Sequence, residues 1–300
     1  MSVKILEKNN IQYTTIDGVR WLYNIKNDRL IKSLNPIEDY LGDVENVENP
    51  LYDFYHSPYK RKLLDYKFIR LIIDSAKIRG VQNFILVLQK WYLVLPSLII
   101  NCFALPYIIH FSKITDYIPS FRELILLYLI STLLILPLHE YAHFSVYHYY
   151  IEDSKIEFGF SLRYFVLPLF YTKVPFYKSL NKDEKSSLIL AGVKIQVMLW
   201  SVLTLVGILW TSDLVIGLIV INATIIIANM LPFLKFDGYW WISNALEVDD
   251  YLIYFKKMLL KQAPFRLEIL LLSLANMVML MIVELFTILP IIVTWIGHIK

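Results

Sequence analysis

Apolar and polar positions divide the chain into a polar N-terminal part and a largely apolar remainder. Five long apolar segments lie near residues 91–111, 121–147, 188–211, 214–233 and 267–296. Each is near or above the ~20 residues that a helix needs to cross a bilayer. None has the alternating, Gly/Pro-rich pattern of barrel strands. The pattern predicts an all-α polytopic membrane protein with about five transmembrane helices.

Residues 1–60 are polar and contain short stretches in which apolar and polar side chains alternate, such as Ile11–Thr14 and Trp21–Tyr23. Asp17-Gly18 is a turn signal between two such stretches. The segment is too short for a large core of its own. We therefore expect a small N-terminal cytosolic α+β module over residues 1–60.

Residues 61–90 differ from this module because they are strongly basic. Phe68, Leu71 and Ile72 are spaced as on one face of a helix. The segment predicts a basic amphipathic linker helix on the membrane surface, or equally a solvated helix packed on the N-terminal module. Residues 91–300 would then form the transmembrane domain. The basic residues here are Lys60, Arg61, Lys62, Lys67, Arg70, Lys77, Arg79 and Lys90.

Composition and charge support a lipid environment. The chain of 300 residues is 57% hydrophobic and 18% charged, and its net charge of +3 is too small to indicate nucleic acid as a partner. Basic residues crowd into 60–90, 150–187 and 235–266, which places these segments and the N-terminus in the cytosol of a multi-pass cell-membrane protein. Cys102 is the only cysteine, which excludes an internal disulfide and a cysteine-based zinc motif.

The second apolar segment ends in His139-Glu140-Tyr141-Ala142-His143. On a helix, His139 and His143 lie one turn apart on the same face, where two imidazoles can bind one zinc ion. Glu140 lies about 100° around the axis, where its carboxylate can act as a general base without binding the metal. Zinc lowers the pKa of water to ~7 and polarises a scissile carbonyl.

A catalytic zinc ion needs a third protein ligand, and Asp237 is our candidate. It follows the fourth apolar segment, after Pro232, which can end a helix, and before Gly238, which permits a tight backbone. Taken alone, an aspartate before glycine is an ordinary loop residue. The two histidines lie at a similar membrane depth, which favours Asp237 as a metal ligand.

These motifs together resemble the site-2 protease family of intramembrane metalloproteases. The resemblance covers roughly residues 90–245 and includes Pro232-x-x-x-x-Asp237-Gly238 and the small-residue step Ala191-Gly192. The sequence Phe-Leu-Lys-Phe-Asp-Gly-Tyr-Trp resembles a bacterial branch associated with the maturation of small peptides. The resemblance implies that His139, His143 and Asp237 bind Zn²⁺ and that Glu140 is the base.

The sequence departs from the family pattern at two positions. Leu231 stands where the family usually has asparagine, and Leu234 replaces a frequent second proline. The family's asparagine is thought to position substrate or an oxyanion. Three amides could take over that role, or could simply be hydrogen-bonding residues between packed helices: Gln196, Asn222 and Asn229.

Other polar or aromatic residues have open roles. His148 should point away from the metal and lie at the membrane interface, and Lys194 and Glu284, inside apolar segments, could pair with each other. An aromatic loop could form a membrane-inserted edge strand or a re-entrant loop that presents an extended substrate, or an interfacial aromatic belt. It contains Tyr164, Phe165, Phe170, Tyr171, Phe176 and Tyr177.

The sequence therefore predicts an intramembrane zinc metalloendopeptidase that cleaves a peptide or a membrane-anchored protein near the cytosolic side of the bilayer. Maturation of a secreted peptide and regulated intramembrane proteolysis are the expected settings. The alternative is a non-catalytic membrane zinc-binding or immunity protein for a small peptide. A transporter would show more spans and internal symmetry.

Overall fold

The computed structural model describes residues 3–58, 65–112, 119–153, 155–163, 167–210 and 212–297. The chain divides into two compact units. Unit 1 comprises Met1–Leu86 and Glu140–Leu188, and unit 2 comprises Val87–His139 and Ile189–Lys300.

Unit 1 contains a four-stranded antiparallel sheet in the N-terminal region. A two-residue turn of Asp17 and Gly18, both with positive φ, joins its central strands, as a tight hairpin requires. The alternating stretches predicted from the sequence are thus confirmed as strands. The strands of this region are β1 (Val3–Lys4), β2 (Leu6–Lys8), β3 (Ile11–Ile16), β4 (Val19–Asn24) and β5 (Arg29–Ser33), and helix α1 (Tyr52–His56) follows them in the chain. The order of strands in the sheet is β2-β3-β4-β5.

A three-stranded antiparallel sheet also belongs to unit 1. It consists of β6 (Asp65–Asp74), β8 (Lys155–Arg163) and β9 (Leu167–Thr172), with β8 in the centre. The short strand β7 (Ile151–Glu152) pairs in parallel with β1. Short 3-10 turns lie at Glu38–Leu41, Ser75–Lys77, Arg79–Val81 and Tyr177–Ser179. Of the aromatic loop, Phe170 and Tyr171 lie in the edge strand β9, and Tyr177 begins a 3-10 turn; Tyr164 and Phe165 lie outside the described residues.

The predicted helix over 61–90 is wrong for residues 65–74, which form β6. Tyr, Phe and three β-branched isoleucines favour a strand here. The register against β8 shifts between Lys67 and Ile69, and such a bulge breaks the two-residue alternation, so that the apolar spacing imitates a helix. The structure is helical only later, in α2 (Gln82–Leu88). The prediction that residues 91–300 are all α-helical is also wrong in part, because strands β7–β9 follow the second span.

A network of ion pairs links the strands of unit 1. Lys173 Nζ lies 2.7 Å from Asp28 Oδ1 and 3.1 Å from Glu157 Oε2. Arg70 binds both carboxylate oxygens of Glu157, at 3.1 and 2.8 Å. Lys67 completes the network at 3.7 Å from Asp28 and 3.9 Å from Glu157. Two basic residues of the predicted linker, Lys67 and Arg70, thus neutralise the buried carboxylate of Glu157.

Four helices in the described part of the chain are long and apolar enough to cross a membrane, which indicates a membrane protein. They cover Phe121–Tyr150, Ala191–Leu209, Asp213–Met230 and Leu267–Phe286. A fifth span results if α2 is counted together with the start of α3 (Trp91–Ser112), a pair bent by 64°. These helices coincide with the five predicted apolar segments.

The long span at Phe121–Tyr150 has three parts. It begins as α4 (Phe121–Ile130), where Ser120 and Glu123 form a reciprocal capping box. A π-helical segment follows at Ser131–Ile135, and α5 (Leu136–Tyr150) carries the histidines. The remaining helices are α6 (Lys182–Ile189), α7 (Ala191–Leu209), α8 (Asp213–Met230), α9 (Asp237–Ala245), α10 (Tyr251–Leu259) and α11 (Leu267–Gly297).

Helices α3, α7 and α8 of unit 2 pack through aliphatic side chains and a few neutral polar groups. Val94, Val197 and Ile219 belong to their buried apolar cluster. Asn101 on α3 donates to Ser201 Oγ at 3.0 Å and accepts from Thr204 Oγ1 at 3.1 Å. Hydrogen bonds of this kind connect transmembrane helices without burying a charge.

Candidate metal centre

His139 is held in one orientation by groups of α7. Its ring is 5% exposed, and its Nδ1 lies 3.0 Å from Gln196 Oε1. An amide oxygen only accepts hydrogen bonds, so this contact places the proton on Nδ1 and leaves the Nε2 lone pair for a metal. Metal-binding histidines commonly have their second nitrogen fixed in this way.

Gly192 allows α7 to approach this imidazole closely. A Cβ atom at position 192 would overlap the His139 ring. Glycine is therefore required for the close approach itself, although its own φ is not positive. The small-residue step predicted from the sequence is confirmed at Gly192, with the histidine ring as the group it accommodates.

His143 lies one turn further along the same continuous helix. Its Nδ1 is 2.8 Å from the backbone carbonyl of Leu188, another group that only accepts. A proton on each Nδ1 leaves a lone pair on each Nε2, the nitrogen that faces Asp237 in the case of His139. The two imidazoles share the tautomer that a zinc ion requires.

Asp237 is the first residue of α9 and follows a short loop after α8. The residue after it, Gly238, packs so tightly on the end of α8 that a Cβ would overlap the carbonyl oxygen of Met230. The carboxylate Oδ2 of Asp237 is 3.2 Å from Nε2 of His139. Two ligands of one tetrahedral zinc ion at bond lengths of 2.0–2.1 Å would be about 3.3 Å apart.

His139, His143 and Asp237 together form a group that could hold a metal ion. One ligand atom from each lies within 4.8 Å of the others. Two imidazole nitrogens and a carboxylate oxygen match the donor set of zinc sites that leave a fourth position open. A simple His–Asp ion pair would explain the 3.2 Å contact but not the similarly oriented His143.

Glu140 is half-buried and lies next to His139 on α5. Its backbone carbonyl accepts a hydrogen bond from Thr172 Oγ1, at the end of β9, with a distance of 2.9 Å. Thr172 therefore links the edge strand to the residue proposed as the base. No sequence pattern indicates this contact, because the two residues are far apart along the chain.

The three amides considered above have distinct positions. Gln196 orients His139, Asn222 Nδ2 donates to the backbone carbonyl of Gln196 at 3.0 Å, and Asn229 Nδ2 is 3.5 Å from Gln196 Oε1. The contact of Gln196 with His139 is one that the sequence did not identify. A substrate contact for any of the three stays a prediction.

Two further residues lie outside the metal group. His148 is not one of its members, as predicted, and it is buried beside Phe144, with ring centroids 5.3 Å apart; its position at the membrane interface stays a prediction. The Lys194 ammonium lies over the Trp91 ring, 4.4 Å from its centroid. The pairing of Lys194 with Glu284 stays a prediction.

Comparison with known proteins gives a partial relationship. The chain is 28% identical over 116 residues to a Bacillus subtilis (strain 168) protein named "Putative peptide zinc metalloprotease protein YydH". The match covers 38% of this chain and 45% of that protein, so it spans less than half the length of either. No protein-family model matches the chain. No solved structure matches it either.

Proposed function

We propose that this protein is a membrane-embedded zinc-dependent endopeptidase of the site-2 protease type. The observation that carries the proposal is the convergence of His139, His143 and Asp237, with both Nδ1 atoms occupied by acceptors. The relationship to a protein named as a peptide zinc metalloprotease supports the same chemistry. When bound, zinc would polarise the scissile carbonyl and acidify water.

Glu140 is the proposed general base. Its place beside His139 lets its carboxylate accept a proton from the attacking water and later donate it to the leaving amine. The substrate is a peptide or a membrane-anchored protein, which must be extended where it is cleaved. The edge strand β9, linked to Glu140 through Thr172, is suited to pair with such a chain.

The proposed location is the cell membrane, with the N-terminus and the active-site opening in the cytosol. The basic residues near residues 60–90, 150–187 and 235–266 support this orientation. Peptide maturation is the favoured role because of the sequence around Asp237. Regulated intramembrane proteolysis would use the same chemistry. Neither role requires nucleic acid.

The second candidate is a non-catalytic zinc-binding or immunity protein for a small peptide. Leu231 favours it, because an aliphatic side chain cannot replace the amide that the resemblance implies there. Glu140 favours the enzyme, because a structural zinc site does not need a carboxylate beside its histidines.

Purified wild-type protein and Glu140→Gln, reconstituted in lipid nanodiscs, distinguish these candidates. The measurements are zinc content per chain and cleavage of internally quenched peptides with apolar central segments. We expect both proteins to bind one zinc and Glu140→Gln to cleave at least about 100-fold more slowly. Glu48→Gln, at an exposed position, is the matched control and should cleave like the wild type.

Undiminished cleavage by Glu140→Gln would exclude Glu140 as the base. Zinc binding without cleavage of any peptide by the wild type would favour the non-catalytic protein. His143→Ala tests the metal site separately and should lower the zinc content.

A further inference from the structure

The loop that carries Asp237 has an unfavourable backbone conformation. Leu234 and Lys235 have φ values of 59° and 58°, in the left-handed region that residues with a side chain rarely occupy. Two such residues in succession persist only if the surrounding structure holds them. The position of Asp237, two residues further on, depends on what holds this loop.

Helix α10 and the residue before it hold the loop at two points. Lys235 Nζ lies 2.6 Å from Asp250 Oδ2, and Tyr251 OH donates to the carbonyl of Pro232 at 2.6 Å. Asn276 on α11 donates to the same tyrosine oxygen at 2.8 Å. The start of the loop is therefore bound by Tyr251 and its middle by Asp250, two neighbouring residues at the N-terminal end of α10.

Asp250 is the centre of this arrangement. It is buried, caps α10 by accepting from the backbone N–H groups of Leu252 and Ile253 at 3.0 Å, and accepts from Tyr239 OH. Burial alone would raise the pKa of Asp250, but hydrogen bonds from Lys235 and Tyr239 hold it below its usual range. Asp250 is thus a charged carboxylate that binds Lys235, two residues before Asp237, and Tyr239, two residues after it.

We propose that Asp250 is a positioning residue for the metal centre: through Lys235 it holds the 231–236 loop so that Asp237 stays within reach of the metal bound by His139. Asp250 itself does not contact the metal group. The inference rests on the proposed function, since it takes Asp237 to be a ligand. Residues of this kind commonly change metal affinity by 10–100-fold.

The test must separate this role from the capping of α10. Asp250→Asn keeps a side-chain oxygen that can cap the helix but removes the charged bond to Lys235. Lys235→Met removes the same bond from the loop side and leaves the cap intact. Asp249→Asn changes the exposed neighbouring aspartate and is the matched control.

The measurement is zinc affinity in detergent at neutral pH, by competition with a chelating dye. We expect Asp250→Asn and Lys235→Met each to weaken zinc binding by about 10–100-fold and the double variant to be no worse than either. Asp237→Ala should weaken binding too, and adding Asp250→Asn to it should have no further effect. Asp249→Asn should bind like the wild type.

Zinc affinity within twofold of the wild type in Lys235→Met and Asp250→Asn would overturn the inference. An equal loss from Asp250→Asn with and without Asp237 would also overturn it, because the effect would then not act through this ligand. Unchanged zinc binding by Asp237→Ala would instead contradict the proposed ligand set, so the two failures are distinguishable.

Discussion

The two compact units bury polar groups by different chemistry. Unit 1 buries carboxylates beside ammonium and guanidinium groups, with Asp28 and Glu157 contacting Lys67, Arg70 and Lys173. The membrane-length helices of unit 2 instead join neutral amides and hydroxyls: Asn101, Gln196, Ser201, Thr204 and Asn222.

The difference follows from the solvent that each unit is built for. Charges are expensive at membrane depth, whereas neutral hydrogen bonds are tolerated there. Lys194, near the start of α7, is an exception, and the Trp91 ring partly compensates for its burial. The sheets of unit 1 should therefore respond strongly to loss of a charge and to acid, and the membrane-length helices of unit 2 to changes of shape.

The largest effect should come from Glu157→Gln in unit 1. Removing this charge weakens the hydrogen bonds from Arg70, which is half exposed, and from Lys173, which keeps Asp28, and hydrogen bonds to charged groups contribute about 1.5–3 kcal/mol. Hydrogen exchange of β6 and β8 measures the loss of unfolding free energy. Glu7→Gln, with its 4.0 Å contact to Lys155 at the surface, is the control and should change little. Equal losses from both variants would contradict the comparison.

Gly192→Ala should have the largest effect in unit 2. The added Cβ overlaps the His139 ring, and overpacking of this kind costs about 1–3 kcal/mol. We expect weaker zinc binding by equilibrium dialysis, because the imidazole must move. Gly80→Ala places its Cβ in open space and is the matched control. Unaltered zinc binding by Gly192→Ala would contradict the close approach of α7.

Acid should destabilise the sheets of unit 1 more than the membrane-length helices of unit 2. Burial alone would raise the pKa values of Glu157 and Asp28, but hydrogen bonds from Arg70 to Glu157 and from Lys173 to Asp28 hold both below their usual ranges. Their stabilisation is complete above the unfolded pKa values, about 4.3 and 3.9, and is lost as the pH falls through the folded values. At pH 4 only part of it is lost, so the effect should be smaller than that of Glu157→Gln.

Limited proteolysis between pH 7 and pH 3 measures this acid response. Cleavage within β6, β8 and β9 should increase first, while α7 and α8 stay protected. Simultaneous loss of protection in both units would remove the distinction between them.

The smallest effect should come from Thr204→Val. This change keeps the shape of the side chain but removes the hydrogen bond to Asn101. Hydrogen bonds between transmembrane helices average about 0.6 kcal/mol, so the thermal stability should fall slightly. Thr224→Val, at an exposed position where the hydroxyl bonds only within its own helix, is the control. A loss above about 2 kcal/mol would indicate that Asn101 depends on this bond.

The predictable features were those set by local spacing. The apolar segments predicted the long helices, Asp17-Gly18 predicted the hairpin, and His139 and His143 at i and i+4 predicted one shared face. The strand β6 could not be predicted, because its bulge disrupts the alternation on which strand assignment depends. Gln196 and Asp250 act across long sequence separations that carry no periodic signal.

The π-helical segment at Ser131–Ile135 affects how the second span should be drawn. An i→i+5 turn holds one residue more than an α-turn. Each later residue of the span therefore lies about 100° away from the position that a uniform α-helical count would give it. A helical wheel with uniform steps from Phe121 to Tyr150 therefore misaligns the lipid-facing stripe of α4 with the histidine face of α5. A single-residue deletion inside this segment should therefore convert it into a regular α-turn and keep the histidine face, whereas the same deletion within α4 or early α5 would turn His139 and His143 away together.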